Sequence, residues 1–138
     1  MPVSRLTAVI LYVAHVAASA AFYRDSLGAA PLFDYGEADA FQALRLGDIE
    51  IHLHAAPAAD DQLASTWPAG AAGGVGVALH IHASDLARRG QLIQRAGGRV
   101  LQEASLQPWG TIELIAADPD GYRLLLWEGQ KGLDIQTW

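Results

Sequence analysis

The 138-residue sequence predicts an α+β fold of two tandem strand–helix–strand–strand–strand modules, on three observations. An alternating apolar stretch gives way to helical spacing twice, once near the start of each half. The two copies keep one offset: His15 and Asp85, which open the helical stretches, are 70 residues apart, and so are Gly28 and Gly98, which close them. Each helical stretch is then followed by strand pairs. The chain is read as a single domain over 1–138, with module one over about 5–54, a linker at 55–74 and module two over about 75–130.

The elements follow in order. Residues 8–15, "AVILYVAH", alternate around Val9, Leu11 and Val13 and predict a half-buried strand. Residues 16–27 put Val16, Ala20, Tyr23 and Leu27 on one helical face, with Gly28 as the C-terminal cap. The stretch 41–54, "FQALRLGDIEIHLH", reads as a hairpin broken at Gly47-Asp48. The linker, "AAPAADDQLASTWPAGAAGG", is rich in Ala, Gly and Pro. In the second half Val77, Leu79, Ile81 and Ala83 alternate. Leu86, Ile93 and Gly97 then share a helical stripe, with Asp85 as N-cap. Residues 111–128 form a second hairpin, in which Asp118-Pro119-Asp120-Gly121 has the residue order of a type I turn.

Composition narrows the function. At 51% hydrophobic and 17% charged residues the chain has ample material for a core. A net charge of −6 without a basic stripe argues against nucleic acid. With no cysteine, disulfides, thiolate catalysis and cysteine-ligated metals are excluded. Leu6–Val13 followed by Ala18-Ser19-Ala20 resembles a short signal peptide. His15 interrupts that segment, however, and cleavage would remove a stretch that has a counterpart in the second half, so the expected location is cytoplasmic. No apolar run reaches the ~20 residues of a membrane-spanning helix. No serine sits in a Gly-x-Ser-x-Gly turn, and "AAGGVG" (71–76) precedes a strand, so it lacks the helix that a phosphate-binding loop requires. Asp25, Glu103 and Glu113 are read as solvated surface charges.

Two segments resemble a known family. "ILYVAHVAASAAFYRDSLGAAPLF" (10–33) is similar to the opening of vicinal oxygen chelate proteins, the superfamily of glyoxalase I, extradiol dioxygenases and bleomycin-resistance proteins. Its marks are the apolar strand, Ser19 before Phe22-Tyr23, and Leu27-Gly28 closing the helix. "QPWGTIELIAADPDGYRLLLWE" (107–128) resembles the family's C-terminal segment, Pro-Trp-Gly followed by Asp-Pro-Asp-Gly. His15 departs from the pattern, which has Asp as the helix cap. The pattern is closest to the bleomycin-resistance-like members. The resemblance implies a curved mixed sheet around a cleft with the helices outside, and a homodimer. It also implies metal ligands on the first and fourth strand of each module, at positions held here by Ala8, Glu50, Ala78 and Leu125. Three of those four have no donor atom.

Four of the five histidines form two His-x-His pairs, His52/His54 and His80/His82. Alternation along a strand puts both members of a pair on one face. With Ile49, Ile51 and Leu53 facing the helix, Glu50, His52 and His54 face the other way, as do Ala78, His80 and His82 in the second module. Leu125 and Trp127 share that face. An apolar pocket with a few placed polar groups is how small-ligand sites are built. With the cleft that the resemblance implies, which also brings in Trp109, the expected ligand-binding residues are Tyr12, Phe33, Tyr35, His52, His80, His82, Trp109 and Trp127, with Trp67 as a linker contribution.

The leading expectation is a metal-independent protein, without cofactor, that sequesters an aromatic or cationic small molecule such as an antibiotic and touches neither nucleic acid nor membrane. Histidine would orient such a ligand by hydrogen bonds and make binding depend on pH. The alternative is a lyase, isomerase or dioxygenase with one divalent metal on Glu50, His52, His80 or His82. A third possibility is metal-free acid–base catalysis by a cleft histidine.

Overall fold

A computed structural model describes residues 3–34, 40–55, 62–66 and 74–129. The chain divides into two compact units, Met1–Gly73 and Gly74–Trp138. The strands pair in two four-stranded sheets, one in each unit.

In the first unit β1 (Ala8–Val13), α1 (Val16–Leu27), β2 (Ala30–Asp34), β3 (Phe41–Leu46) and β4 (Ile49–Ala55) follow the predicted order. The sheet order is β1-β4-β3-β2, with β1 parallel to β4 and the remaining pairs antiparallel. α1 packs on β3 and β4. Its Val16, Ala20, Phe22 and Tyr23 are buried with Leu44, Ile51 and Leu53 from the sheet. Burying each large apolar side chain contributes ~1.5–3 kcal/mol. Phe22 and Tyr23 meet edge to face with centroids 5.0 Å apart, so both belong to the core. The signal-like triplet Ala18-Ser19-Ala20 lies inside α1, with Ser19 and Ala20 buried. No helix among the described residues is long and apolar enough to cross a membrane. Within the first unit, after β4, the described part of the expected linker holds a 3-10 turn, Ala64–Thr66.

In the second unit β5 (Ala78–His82), α2 (Leu86–Arg95), β6 (Arg99–Leu106), β7 (Thr111–Ala117) and β8 (Arg123–Gly129) repeat the plan, in sheet order β5-β8-β7-β6. Leu86, Ile93, Leu114, Leu124 and Leu126 form its core. α2 packs chiefly on β6 and β7. That leaves the β5 side thinly covered: Leu79 and Ile81 are only half-buried, and Val77, expected under the helix, precedes the strand and is exposed.

The helix caps bear out the repeat at one end and correct it at the other. His15 and Asp85 are both N-caps, yet neither side chain makes a capping hydrogen bond. Asp85 instead adopts a left-handed conformation with φ 54°, which an L-residue adopts at a steric cost. Gly28 caps α1 in the left-handed region, as expected. In α2 it is Gly97, not Gly98, that turns left-handed at φ 101°. The Gly97 N–H donates to the Gln94 carbonyl at 3.3 Å and that of Gly98 to Ile93 at 2.9 Å, the two bonds of a Schellman motif. α2 thus ends short of the matching point in α1.

Candidate functional site

Each sheet buries one face under its helix and presents polar and aromatic side chains on the other. In the second unit Leu124 and Leu126 are fully buried, so period-2 alternation turns Leu125 and Trp127 to the open face. Parallel pairing sets His80 beside Leu125 and His82 beside Trp127. The His80 ring stacks near-parallel to the Trp127 indole, at 14° with centroids 5.6 Å apart, and His82 tilts toward the same indole at 4.7 Å. Three sequence-predicted residues therefore form one wall of rings.

β7 adds a residue that its sequence context marks only as a solvated surface charge. Glu113 pairs directly with Trp127 and so shares its face. It is half-buried, and its Oε2 accepts hydrogen bonds from Trp109 Nε1 and Thr111 Oγ1, both at 2.8 Å. Glu113 is thus an anchored carboxylate and not a free surface charge. Trp109, expected to line the pocket, is 57% exposed and is tied to the sheet by that indole hydrogen bond. Alternation could have found this group, because residues 109, 111, 113 and 115 lie on one parity leading into β7.

In the first unit the buried Ile51 and Leu53 fix the parity of β4, leaving Glu50, His52 and His54 on the open face, half-buried. Tyr12 lies 5.3 Å from the His54 ring, and Phe41 meets His54 at 4.9 Å and His52 at 5.6 Å, both edge-on. Glu50 and His52 Nε2 hydrogen-bond at 2.9 Å, and Arg45 donates to the other Glu50 oxygen at 3.3 Å. Phe41 and Arg45 were not expected here. The two-residue turn Gly47-Asp48 sets them opposite His54 and Glu50. Tyr35 and Trp67, and the Phe33 side chain, lie outside the described residues.

The sequence profile of the Glyoxalase/Bleomycin resistance protein/Dioxygenase superfamily matches residues 5–126. The chain belongs to this superfamily. Among curated proteins no significant match is found. Solved structures share the fold. A glyoxalase-related enzyme from Fulvimarina pelagi superposes with a TM-score of 0.75 at 20% identity, covering 91% of this chain and 88% of that one. A superfamily enzyme from Burkholderia phytofirmans PsJN gives 0.74 at 13% identity, covering 92% and 100%. TioX from Micromonospora sp. ML1 gives 0.68 at 14% identity, again covering 92% and 100%.

Strand register relates the four positions at which the resemblance implies metal ligands in this glyoxalase/bleomycin-resistance superfamily member. Ala8 pairs with Glu50 and Ile10 with His52, while Ala78 pairs with Arg123 and His80 with Leu125. The 70-residue offset between the N-caps equates Ile10 with His80. The internal counterpart of Leu125 is therefore His52, and Glu50 corresponds to Arg123. At the positions the resemblance implies, Ala8, Ala78 and Leu125 carry no donor atom. Among the described residues no group of three His, Asp or Glu is gathered that could hold a metal ion. Of the four alternative ligands, Glu50 and His52 belong to the first unit and His80 and His82 to the second.

Proposed function

We propose that this superfamily member is a metal-independent small-molecule-binding protein that sequesters an aromatic or cationic compound, such as an antibiotic, on the open face of its second module. The observation that carries this reading is the stack of His80 on Trp127 with His82 alongside, a ring wall on the face of the sheet turned away from the buried Leu124 and Leu126. A planar compound lying on such a wall gains ~0.5–1.5 kcal/mol beyond the area it buries. Imidazole nitrogens at its edge supply orienting hydrogen bonds.

Fluorescence titration of the whole protein against a panel of aromatic and cationic compounds tests the proposal. Trp127→Ala is expected to weaken binding at least about tenfold, through loss of both stacking and buried area. If Trp127→Ala and His80→Ala both leave every affinity unchanged, the site is wrongly assigned. One observation favours a second reading, a metal-dependent lyase, isomerase or dioxygenase: the Glu50–His52 contact, which brings two potential ligands together. Elemental analysis of protein purified without chelator decides between the two. A stoichiometric divalent metal that is lost in His52→Ala would replace the first reading with the second.

A further inference from the structure

Both hydrogen-bond donors to Glu113 land on the same oxygen. Trp109 and Thr111 hold Oε2, and among the described residues no protein donor reaches Oε1. The carboxylate is therefore fixed by one oxygen and leaves the other as an acceptor. Its cross-strand neighbours carry no counter-charge: Trp127 stands opposite on β8, with Leu125 and Gly129 on the diagonals, and Ser105 stands opposite on β6. Directly paired side chains on one face have Cβ atoms ~4.5–5.5 Å apart. The face of an indole attracts positive charge through its quadrupole. A carboxylate attracts the same sign and takes charge-assisted hydrogen bonds from planar N–H donors. Indole and carboxylate are thus two cation-favouring groups side by side on neighbouring strands.

We propose that Glu113 makes this face selective for planar cations, namely aromatic compounds bearing an amidinium or guanidinium group. The ring lies on the Trp127 wall and the cationic N–H groups reach Oε1. This rests on the binding role proposed for the same face and specifies its ligand class. Neutral aromatic compounds gain the ring contact and, where they carry an N–H, a hydrogen bond to Oε1 without the attraction of opposite charges. Anionic ones meet the fixed carboxylate.

Isothermal titration of the full chain with a matched pair, 2-naphthamidinium and 2-naphthamide, tests this. The two probes have the same ring and nearly the same shape but differ in charge. The wild-type protein is expected to prefer the cation about tenfold, the worth of one charge-assisted hydrogen bond. Glu113→Gln keeps the shape and the acceptor for Trp109 and Thr111. With its oxygen held by Trp109 and Thr111, the amide nitrogen takes the place of Oε1, so the amidinium loses its acceptor while the carbonyl of 2-naphthamide can meet the new N–H, and the preference should fall to about twofold or less. A purely structural role for Glu113 would weaken both probes equally. Trp109→Phe retains the carboxylate and removes one of its anchors. It should lower the preference about threefold, and it carries the test if Glu113→Gln does not fold. Equal wild-type affinity for the two probes, or a preference that survives Glu113→Gln, overturns the selectivity and leaves the ring-binding role intact. If neither probe binds, the binding role itself falls, and the selectivity with it.

Discussion

Replacing Asp118 by alanine tests how the β7–β8 hairpin is held. Asp118 is 3% exposed and opens the turn. Its Oδ1 accepts from the backbone N–H of Asp120 at 3.0 Å and of Tyr122 at 2.8 Å. Two backbone bonds also close the turn, Gly121 N–H to Asp118 O and Asp118 N–H to Tyr122 O, both at 3.0 Å. Alanine keeps the backbone bonds and removes the side-chain ones. Hydrogen bonds to a charged acceptor contribute ~1.5–3 kcal/mol each, and water partly replaces them at the half-buried Asp120 and Tyr122, so the expected loss is about 2–3 kcal/mol. For a chain of this length that lowers Tm by roughly 6–12 °C. Asp118→Asn keeps an acceptor oxygen without its charge and should cost about 1 kcal/mol. Urea unfolding followed by circular dichroism measures both variants, and the stability order should be wild type, Asn, Ala. A loss below ~0.5 kcal/mol in Asp118→Ala, or equal losses in the two variants, would refute the claim that these two acceptor bonds hold the turn.

Three further outcomes are expected. Gly97→Ala forces a side chain into the left-handed cap of α2 and should cost about 1–3 kcal/mol in the same unfolding assay, whereas a neutral result would mean that the cap relaxes. Glu50→Ala should shift the imidazole resonances of His52 in NMR spectra while changing stability by less than about 1 kcal/mol, because half-exposed ion pairs contribute little. We also propose that the protein is a homodimer, since each four-stranded sheet has edge strands that gain from being covered. Sedimentation velocity at micromolar concentration should give the dimer mass, and a monomer there would remove that expectation.

What the sequence made legible is whatever depends on local periodicity and turn chemistry. Asp118-Pro119-Asp120-Gly121 announces its turn because each residue type has a local reason to stand where it does. The parity of His52, His54, His80 and His82 follows from the apolar residues that alternate with them. The caps were harder. Asp85 is a residue type that favours capping, but its backbone enters α2 from the left-handed region and the side chain makes no capping bond. Gly97 and Gly98 are adjacent and chemically identical, so only the backbone conformation tells which one caps. Charge alone makes Glu113 look like a surface residue, whereas the Trp109 and Thr111 that share its parity hold it against the sheet. The parallel pairs β1–β4 and β5–β8 join strands that are remote in sequence, and no local signal encodes them.

That remoteness has a kinetic consequence. Ala8 meets Glu50 and Ala78 meets Arg123 across more than 40 residues, while β3–β4 and β7–β8 close over short turns. A tenfold longer loop adds about 2 kcal/mol to the entropy cost of closure, so the hairpins form early and the parallel strands dock last. On that order Glu113 and Trp127 are expected to come together before β5 docks and brings His80 and His82. A compound that bridges indole and imidazoles would then grip contacts that form late. It should therefore prolong the life of the folded protein by slowing unfolding and leave the refolding rate nearly unchanged.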